Sequence, residues 1–154
     1  MPKCYQLIGV PGAGKSTWIE NQDWIADCVI VSTDNIVEAH AKTQGKTYNE
    51  VFHDFMPTAV KIMTDDVVRA RERNQDIIWD QTSTTVASRR KKFNMLRNYE
   101  HIAVVFRTPS ADELARRLAN RTGKNIPASV MDSMINNFEM PTESEGFKEI
   151  WYVN

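Results

Sequence analysis

The sequence has few cysteines, no long apolar run and no excess of charge of one sign. Cys4 and Cys28 are its only cysteines, and each lies in an apolar, strand-like run, so we expect free, buried thiols in a reducing environment. No apolar run approaches the roughly 20 residues that a membrane-spanning helix needs, and the N-terminus does not have the layout of a secretion signal. We therefore expect a cytoplasmic protein with no membrane partner.

The balance of charge excludes one mode of binding. The 154 residues contain 19 Lys and Arg against 20 Asp and Glu, a net charge of −1, which excludes a protein held to long duplexes by bulk charge alone. The charges are sorted locally, however, with basic clusters at 69–73, 89–92 and 116–124. Most basic runs on helices are solvated faces, so these clusters indicate a site only where another motif points to them.

Apolar runs alternate with helical patterns along the chain, which has no internal repeat and no low-complexity segment. Strand-like runs lie at Cys4–Ile8, Cys28–Val31, Ile77–Trp79, Ile102–Phe106 and Ile150–Val153. Helical spacing of apolar residues covers Tyr48–Arg73, Ala87–Tyr99, Ser110–Asn120 and Ala128–Phe138. Nearly continuous apolar strands separated by helices predict a parallel sheet that is covered on both faces. The expected fold is a single three-layer α/β domain over residues 1–154, with a central parallel sheet of about five strands.

The segment Gly9–Thr17, GVPGAGKST, has the full G-x-x-x-x-G-K-[ST] pattern of a phosphate-binding loop. It directly follows the first predicted strand and opens a predicted helix, which is the context that the pattern requires. Glycine at positions 12 and 14 permits close approaches that a side chain forbids, so neighbouring N–H groups can converge on phosphate. We therefore expect a nucleotide to be bound by Gly12, Ala13, Gly14, Lys15, Ser16 and Thr17.

Two side chains of this loop carry the expected cofactor chemistry. Lys15 offers a mobile cation to the β- and γ-phosphates, and the Ser16 hydroxyl is a ligand for Mg²⁺. ATP and Mg²⁺ are thus the expected cofactors, although these residues do not choose between ATP and GTP. A GTPase, a motor ATPase and a small kinase all share this loop, so the use made of the triphosphate depends on the other motifs.

Asp34 follows the second predicted strand, in the segment VSTDNI. Ligands of parallel sheets bind at the carboxyl ends of the strands, so Asp34 should face the same crevice as the phosphate loop. A carboxylate there can act as a general base, because it can accept the proton of an attacking hydroxyl and hold that hydroxyl in line with the γ-phosphate. The alternative role of Asp34 is a plain cap of the following helix.

Asp80 repeats this placement at the end of the third predicted strand, in IIWDQTST. An acid here resembles a Walker-B position, where a carboxylate supports Mg²⁺ directly or through water. Asp80 and Ser16 are therefore the expected metal ligands, and Asp80 joins the expected catalytic residues. Asp80 could instead orient the acceptor, pair with Lys15 or serve only as a turn residue.

A basic segment between two predicted helices has the composition of a lid. The sequence RRLANRTGKNIP, at 116–127, carries Arg116, Arg117, Arg121 and Lys124 around a glycine. Small kinases close such a segment over ATP, and an arginine delivered by it can stabilise charge on the transferred group. We expect a lid at about 117–127, with a solvated basic helix end as the alternative. Phosphate loop, strand-end acids and arginine lid together predict a phosphotransferase with a P-loop kinase fold and a helical lid.

These motifs resemble those of the polynucleotide 5′-hydroxyl kinase family, in both its phage and animal forms. GVPGAGKSTW resembles the family's phosphate loop, and STD at 32–34 resembles its strand-end segment. DQTSTTVASRRKKF at 80–93 and RRLANRTGKNIP are similar to the family's D-x-T-N segment and its lid. NFEMPTESEGFKEIW at 137–151 resembles its C-terminal F-E-x-P-T-x-x-E-G-F segment, the longest and most specific match. The resemblance runs from Lys3 to Val153.

The resemblance implies transfer of the ATP γ-phosphate to a hydroxyl of a nucleic acid, normally the 5′-hydroxyl of a DNA or RNA strand. Asp34 would be the general base, and Lys15 and Arg121 would stabilise the phosphoryl transition state. Arg117 and Arg121 would contact the phosphates. The residues implied for acceptor binding are Asp34, Asp80, Thr82 and Arg89.

Three positions depart from the family pattern. Val37 replaces the arginine that holds the 3′-phosphate of the acceptor in the phage type, Thr33 replaces another arginine, and Ser83 stands where the family usually has asparagine. The first two changes concern the acceptor site rather than the ATP site. Alternative acceptors are therefore a hydroxymethyl group on a pyrimidine base within DNA, a nucleoside and a small-molecule alcohol.

Further alternatives concern partners and class. Four aromatic residues could stack on a base: Trp24, Tyr48, Phe52 and Trp79. Most aromatic residues of this kind belong to the hydrophobic core. A non-catalytic ATP-binding module or regulatory ATPase is the alternative from another class, and the complete set of acids and cations argues against it. No D-x-D-x-T phosphatase motif or K-x-D-G ligase motif is present, so we expect a stand-alone kinase. A phage origin and a homo-oligomer are compatible with the sequence.

Overall fold

Five short strands form the centre of the fold. They are β1 (Lys3–Ile8), β2 (Val29–Val31), β3 (Ile77–Trp79), β4 (Glu100–Phe106) and β5 (Phe147–Val153). In the computed structural model, which describes residues 1–121 and 123–154, they make one sheet in the order β2-β3-β1-β4-β5, and every pair is parallel. The predicted parallel sheet is confirmed, and its last strand begins at Phe147 rather than Ile150.

Helices connect these strands and cover the sheet. In the described part of the chain they are α1 (Lys15–Glu20), α2 (Thr33–Gln44), α3 (Tyr48–Glu72), α4 (Val86–Met95), α5 (Ala111–Ala119) and α6 (Ala128–Asn136). The last four match the helical patterns of the sequence, although α4 ends before the predicted Tyr99. The pattern of α2 is weak, because its buried positions are only Thr33, Val37 and Ala41.

Alternate side chains of the central strands face opposite sides of the sheet. Cys4 of β1 packs with Met63 of α3 on one face, and Tyr5 belongs to a second cluster on the other face. Trp18 of α1 packs against that second cluster. Because both faces are covered, β1 and β4 are buried almost without interruption, and the fold is a three-layer α/β fold as predicted.

Main-chain hydrogen bonds tie together the segments that follow three neighbouring strands. The Gly9 N–H, after β1, donates to the Thr82 carbonyl, after β3, at 2.9 Å. The Asp80 N–H donates to the Val31 carbonyl at the end of β2 at 2.8 Å. These bonds fix the segments at the carboxyl edge of the sheet, where parallel sheets bind ligands.

Some sequence-based expectations can be placed directly on this fold. Cys4 is buried as predicted, whereas Cys28 is partly exposed, so the prediction of a buried thiol is wrong there; both cysteines are free. Within the described residues, we find no helix with the length and apolar character needed to cross a membrane. The predicted lid at about 117–127 includes Thr122, which lies outside the described residues.

Arg89 is an internal residue, which corrects the expectation that it binds the acceptor. Its side chain is fully buried, and its guanidinium donates to both carboxylate oxygens of Glu145, at 2.8 and 3.2 Å. A third bond, of 2.9 Å, runs to the Ser83 carbonyl. A guanidinium that is satisfied inside the protein cannot meet a strand end in the cleft. Arg89 instead joins α4 to the C-terminal segment and to the loop that follows β3.

Removing the carboxylate partner of Arg89 should destabilise the protein strongly. An uncompensated buried charge costs about 3 kcal/mol or more, so we expect Glu145→Ala to lower the free energy of unfolding in urea by about 3 kcal/mol. Glu143 lies on the same short turn with an exposed side chain, so Glu143→Ala is the control. Its expected change is below about 0.5 kcal/mol. Equal stabilities of the two variants would contradict the role assigned to this ion pair.

Candidate active site

The phosphate loop runs from the end of β1 to the first turn of α1. Gly14 is the N-cap of α1 with a φ of 103°, and Gly12 has a φ of 85°, both in the left-handed region that favours glycine. A Cβ at Gly12 would lie 2.9 Å from the Leu114 side chain, whereas no atom lies within 4 Å of a Cβ built at Gly14. Gly12 is therefore packed against α5, and Gly14 leaves open space in which a phosphate fits.

Lys15 begins α1 and folds back over the loop. Its Nζ donates to the carbonyl oxygens of Gly9, at 2.7 Å, and Val10, at 3.0 Å. Burial lowers the pKa of Lys15 to about 8, although the negative charge of Asp80 opposes this shift. A bound phosphate would stabilise the charged ammonium, which makes Lys15 a suitable phosphate ligand.

A cleft of about 720 Å³ opens beside this loop at the carboxyl edge of the sheet. Its volume lies in the range of cofactor and small-molecule sites. Of the site residues predicted from the sequence, those that line the cleft are Gly12, Ala13, Gly14, Lys15, Ser16, Thr17, Asp34, Asp80, Thr82, Arg117 and Arg121. Arg89 is the exception, because its side chain is buried against Glu145.

Asp34 lies in the first turn of α2, where both of its carboxylate oxygens have partners. Ser32 caps this helix, because its hydroxyl accepts from the Asn35 N–H at 3.2 Å. The Tyr48 hydroxyl donates to Oδ1 of Asp34 at 2.7 Å, and Nζ of Lys124 donates to Oδ2 at 3.3 Å. The alternative of a plain helix cap is therefore wrong for Asp34, whose side chain is half exposed at the cleft.

Two residues that surround Lys124, Glu38 and Tyr48, do not belong to any of the sequence motifs. Nζ of Lys124 also donates to Oε1 of Glu38 at 3.1 Å and lies 4.6 Å from the centre of the Tyr48 ring. Glu38 follows Asp34 by one helical turn, so the i, i+4 spacing of the two acids was the signal that could have found it. No sequence signal brings Tyr48, at the start of α3, to Asp34.

Asp80 directly follows β3 and lines the cleft. Burial raises the pKa of Asp80, the Lys15 ammonium opposes this shift, and the negative charge of Asp34 adds to it. The Asp80 carboxylate and the Ser16 hydroxyl are oxygen ligands of the kind that Mg²⁺ takes. The described residues contain no cluster of three or more His, Cys, Asp or Glu that could hold a metal. The two oxygen donors, Asp80 and Ser16, suit a Mg²⁺ ion that takes its other ligands from nucleotide phosphates and water.

Two arginines reach the cleft from α5 and from the segment after it. Arg117 donates from Nη1 to the Gly12 carbonyl at 2.9 Å and from Nε to the Glu113 carboxylate at 2.8 Å. Arg121 follows α5, lines the cleft, and lies close enough to Lys15 for its positive charge to lower the pKa of that lysine. The guanidinium of Arg117 is thus anchored directly on the phosphate loop.

The aromatic residues considered for base stacking fall in different environments. Trp79 is buried in β3, whereas Trp24 and Phe52 are 37% and 41% exposed. Trp24 packs against Tyr5 and Trp18, with ring centres 4.8 and 6.0 Å apart. Of these three packed rings, Trp18 lines the cleft. Trp18, which directly follows the Ser-Thr pair of the phosphate loop, lines the cleft together with Phe106.

The chain belongs to the AAA domain family, whose model matches residues 6–141. It is 28% identical over 149 residues to the bifunctional polynucleotide phosphatase/kinase of Schizosaccharomyces pombe. This alignment covers 94% of the chain but 31% of that protein, so the chain spans less than a third of its relative's length. The resemblance to polynucleotide kinases is confirmed.

Solved structures share the fold at low sequence identity. A provisionally assigned kinase from Chloroflexus aurantiacus has a TM-score of 0.72 and 16% identity, with 99% of this chain and 87% of that chain covered. A shikimate kinase from Acinetobacter baumannii, in complex with shikimate, has a TM-score of 0.58 and 15% identity, with 100% and 84% covered. These likenesses confirm the P-loop kinase fold and leave the acceptor open, because one fold serves many substrates.

The lowered pKa of Lys15 predicts a pH dependence of ATP binding. Below about pH 8 the ammonium is charged, and above it the free protein loses this proton, which must be taken up again when phosphate binds. We expect the ATP affinity, measured by calorimetry, to fall by up to about tenfold per pH unit above about pH 8. Lys15→Arg is the control, because a guanidinium stays charged and should remove this fall even if binding is weaker. An affinity independent of pH in the unaltered protein would contradict the prediction.

Proposed function

We propose that the protein is an ATP-dependent kinase that transfers the γ-phosphate to a hydroxyl of a nucleic acid, with the 5′-hydroxyl of a DNA or RNA strand as the first candidate. The observation that carries this proposal is that Lys15 and Asp34 line one cleft. Ser32 caps α2, so the Asp34 carboxylate is not used as the helix cap. The 28% identity to a bifunctional polynucleotide phosphatase/kinase supports the nucleic-acid acceptor.

In the proposed reaction, the acceptor oxygen attacks the γ-phosphorus while the bond from that phosphorus to the β,γ-bridging oxygen breaks, and ADP leaves. Asp34 accepts the proton of the acceptor hydroxyl as general base. Lys15 and Arg121 stabilise the negative charge of the transferred phosphoryl group in the transition state. These roles require the acceptor to enter between Asp34 and the phosphate loop.

Other residues of the cleft hold the nucleotide in this proposal. Ser16 and Asp80 would hold Mg²⁺, which supplies positive charge to the β- and γ-phosphates when bound. Arg117, already bonded to the Gly12 carbonyl, would contact the same phosphates. Residues 117–127 would act as the lid of one kinase domain formed by residues 1–154, and Thr82 would contact the acceptor from the loop after β3.

A hydroxymethyl group on a pyrimidine base within DNA is the second candidate acceptor. Val37 stands where related phage enzymes have an arginine for the 3′-phosphate of the acceptor, and it is fully buried in α2. The next residue, Glu38, brings a carboxylate to the cleft instead. This part of α2 therefore offers a carboxylate, paired with Lys124, and no cation of its own for a phosphate, which favours a hydroxyl that is remote from a terminal nucleotide's phosphate. A nucleoside or small alcohol meets the same condition.

Transfer of label from γ-³²P-ATP in the presence of Mg²⁺ tests these acceptors in parallel. The acceptors are 5′-hydroxyl DNA and RNA oligonucleotides, a 5′-phosphorylated duplex with hydroxymethylated pyrimidines, and free nucleosides. The same oligonucleotides with 5′-phosphates are the controls. We expect label on the 5′-hydroxyl strands and none on the controls. Label on the modified duplex alone would replace the first candidate with the second, and label on no acceptor would contradict the proposed kinase activity.

Replacing the proposed base should separate transfer from binding. We expect Asp34→Asn to lower the rate of transfer by about 10²-fold or more, because the acceptor proton loses its acceptor group. The dissociation constant for ATP should stay within about threefold, since Asp34 is not part of the phosphate loop. Asp65→Asn, at an exposed position of α3, is the matched control. Equal losses of ATP binding and transfer in Asp34→Asn would indicate a structural role for Asp34.

A further inference from the structure

The start of α3 is built to hold a hydroxyl against Asp34. The Thr47 hydroxyl accepts from the Glu50 N–H at 3.3 Å, and the Glu50 carboxylate accepts from the Thr47 N–H at 2.9 Å. This reciprocal capping box fixes Tyr48 as the first helical residue. From there its hydroxyl donates to Oδ1 of Asp34 at 2.7 Å. Burial raises the pKa of Tyr48, and the bond to Asp34 raises it further, so the hydroxyl stays protonated and remains a donor.

The second oxygen of Asp34 has a partner from a different segment. Nζ of Lys124 lies 3.3 Å from Oδ2, and the loop that carries this lysine is tied to α3. The Asn49 N–H donates to the Gly123 carbonyl at 3.0 Å, and the Asn125 N–H donates to Oδ1 of Asn49 at 2.8 Å. The segment on either side of Lys124 is therefore docked at the place where α3 begins.

The two carboxylate oxygens differ in their access to the cleft. Lys124 lines the cleft together with Asp34, whereas Tyr48 is not among the described residues that line it. The bond from the Tyr48 hydroxyl is short, as expected for a donor to a carboxylate, and the contact with the ammonium is longer. An acceptor hydroxyl that enters the cleft can thus reach Oδ2 if the Lys124 ammonium moves away from it. Oδ1 keeps its hydrogen bond from the Tyr48 hydroxyl.

We propose that Tyr48 is a positioning residue for Asp34, holding Oδ1 so that Oδ2 faces an acceptor that takes the place of Lys124. This inference rests on the proposed function, for which Asp34 is the base. The proton of the acceptor hydroxyl moves to Oδ2 as the new O–P bond forms and the bond to ADP breaks, and Tyr48 keeps its own proton. Without that hydroxyl the carboxylate samples other rotations and spends less time in the productive geometry.

Tyr48→Phe tests the proposal, because it removes the hydroxyl and keeps the ring beside Lys124. We expect kcat for the accepted alcohol to fall by about tenfold, with the KM for ATP within about twofold. Tyr99→Phe is the matched control, since the Tyr99 hydroxyl donates to the carbonyls of Ala70 and Gln75 in the core. It should lower the thermal midpoint and leave kcat unchanged. An unchanged kcat in Tyr48→Phe would overturn the proposal.

The same substitution in the Asp34→Asn background asks whether Tyr48 acts through Asp34. A positioning residue should have no further effect there, so the residual transfer rate of the double variant should lie within about twofold of that of Asp34→Asn. A further tenfold loss in this background would show that Tyr48 acts independently, and would overturn the proposal.

A separate measurement distinguishes failure of this inference from failure of the proposed function. If the unaltered protein labels no acceptor, the proposed function fails. The contact between Tyr48 and the Asp34 carboxylate is then tested by measuring the free energy of unfolding in urea. The unaltered protein, Tyr48→Phe, Asp34→Asn and the double variant form a double-mutant cycle. Non-additive effects on unfolding support a Tyr48 hydroxyl that fixes Asp34, and additive effects overturn it.

Discussion

The common direction of all five strands determines where the chemistry can lie. Since β1 is flanked by β3, and β3 by β2, the segments that follow these strands leave the sheet at one edge. The bond from the Gly9 N–H to the Thr82 carbonyl and that from the Asp80 N–H to the Val31 carbonyl hold them together there. A slip of one residue between β1 and β3 would turn the buried side chains to the wrong faces and separate the phosphate loop from both acids.

The parts of the fold and site that the sequence predicts are those with a local pattern. Buried parallel strands leave continuous apolar runs, and the phosphate loop is a contiguous motif, so the sheet and Lys15 could be found without a structure. Contacts between distant segments carry no such pattern. Arg89 lies in a basic cluster of the kind that usually forms a solvent-exposed helix face. It is buried nevertheless, because Glu145, 56 residues later, supplies its counter-charge. The approach of Lys124 to Asp34 spans 90 residues in the same way.

Local sorting of charge explains how a chain with a net charge of −1 can present a site for a polyanion. Lys15, Arg117 and Arg121 gather around the phosphate loop, whereas Asp34 and Glu38 lie together on one face of α2. Lys124 contacts both of these acids, so the cation that bridges them belongs to the same basic segment as the two arginines. The nucleotide phosphates would therefore meet the basic side of the cleft, and the acceptor hydroxyl would meet the acidic side at Asp34.

The most direct test is a crystal structure of the protein with Mg²⁺, a non-hydrolysable ATP analogue and the accepted alcohol. We expect the β- and γ-phosphates on the N–H groups of the phosphate loop, with the acceptor oxygen about 3–3.5 Å from the γ-phosphorus and hydrogen-bonded to Asp34. A γ-phosphate bound away from Lys15, or an acceptor hydroxyl that meets the γ-phosphorus without contacting Asp34, would contradict a single cleft in which Lys15 serves the nucleotide and Asp34 serves the acceptor.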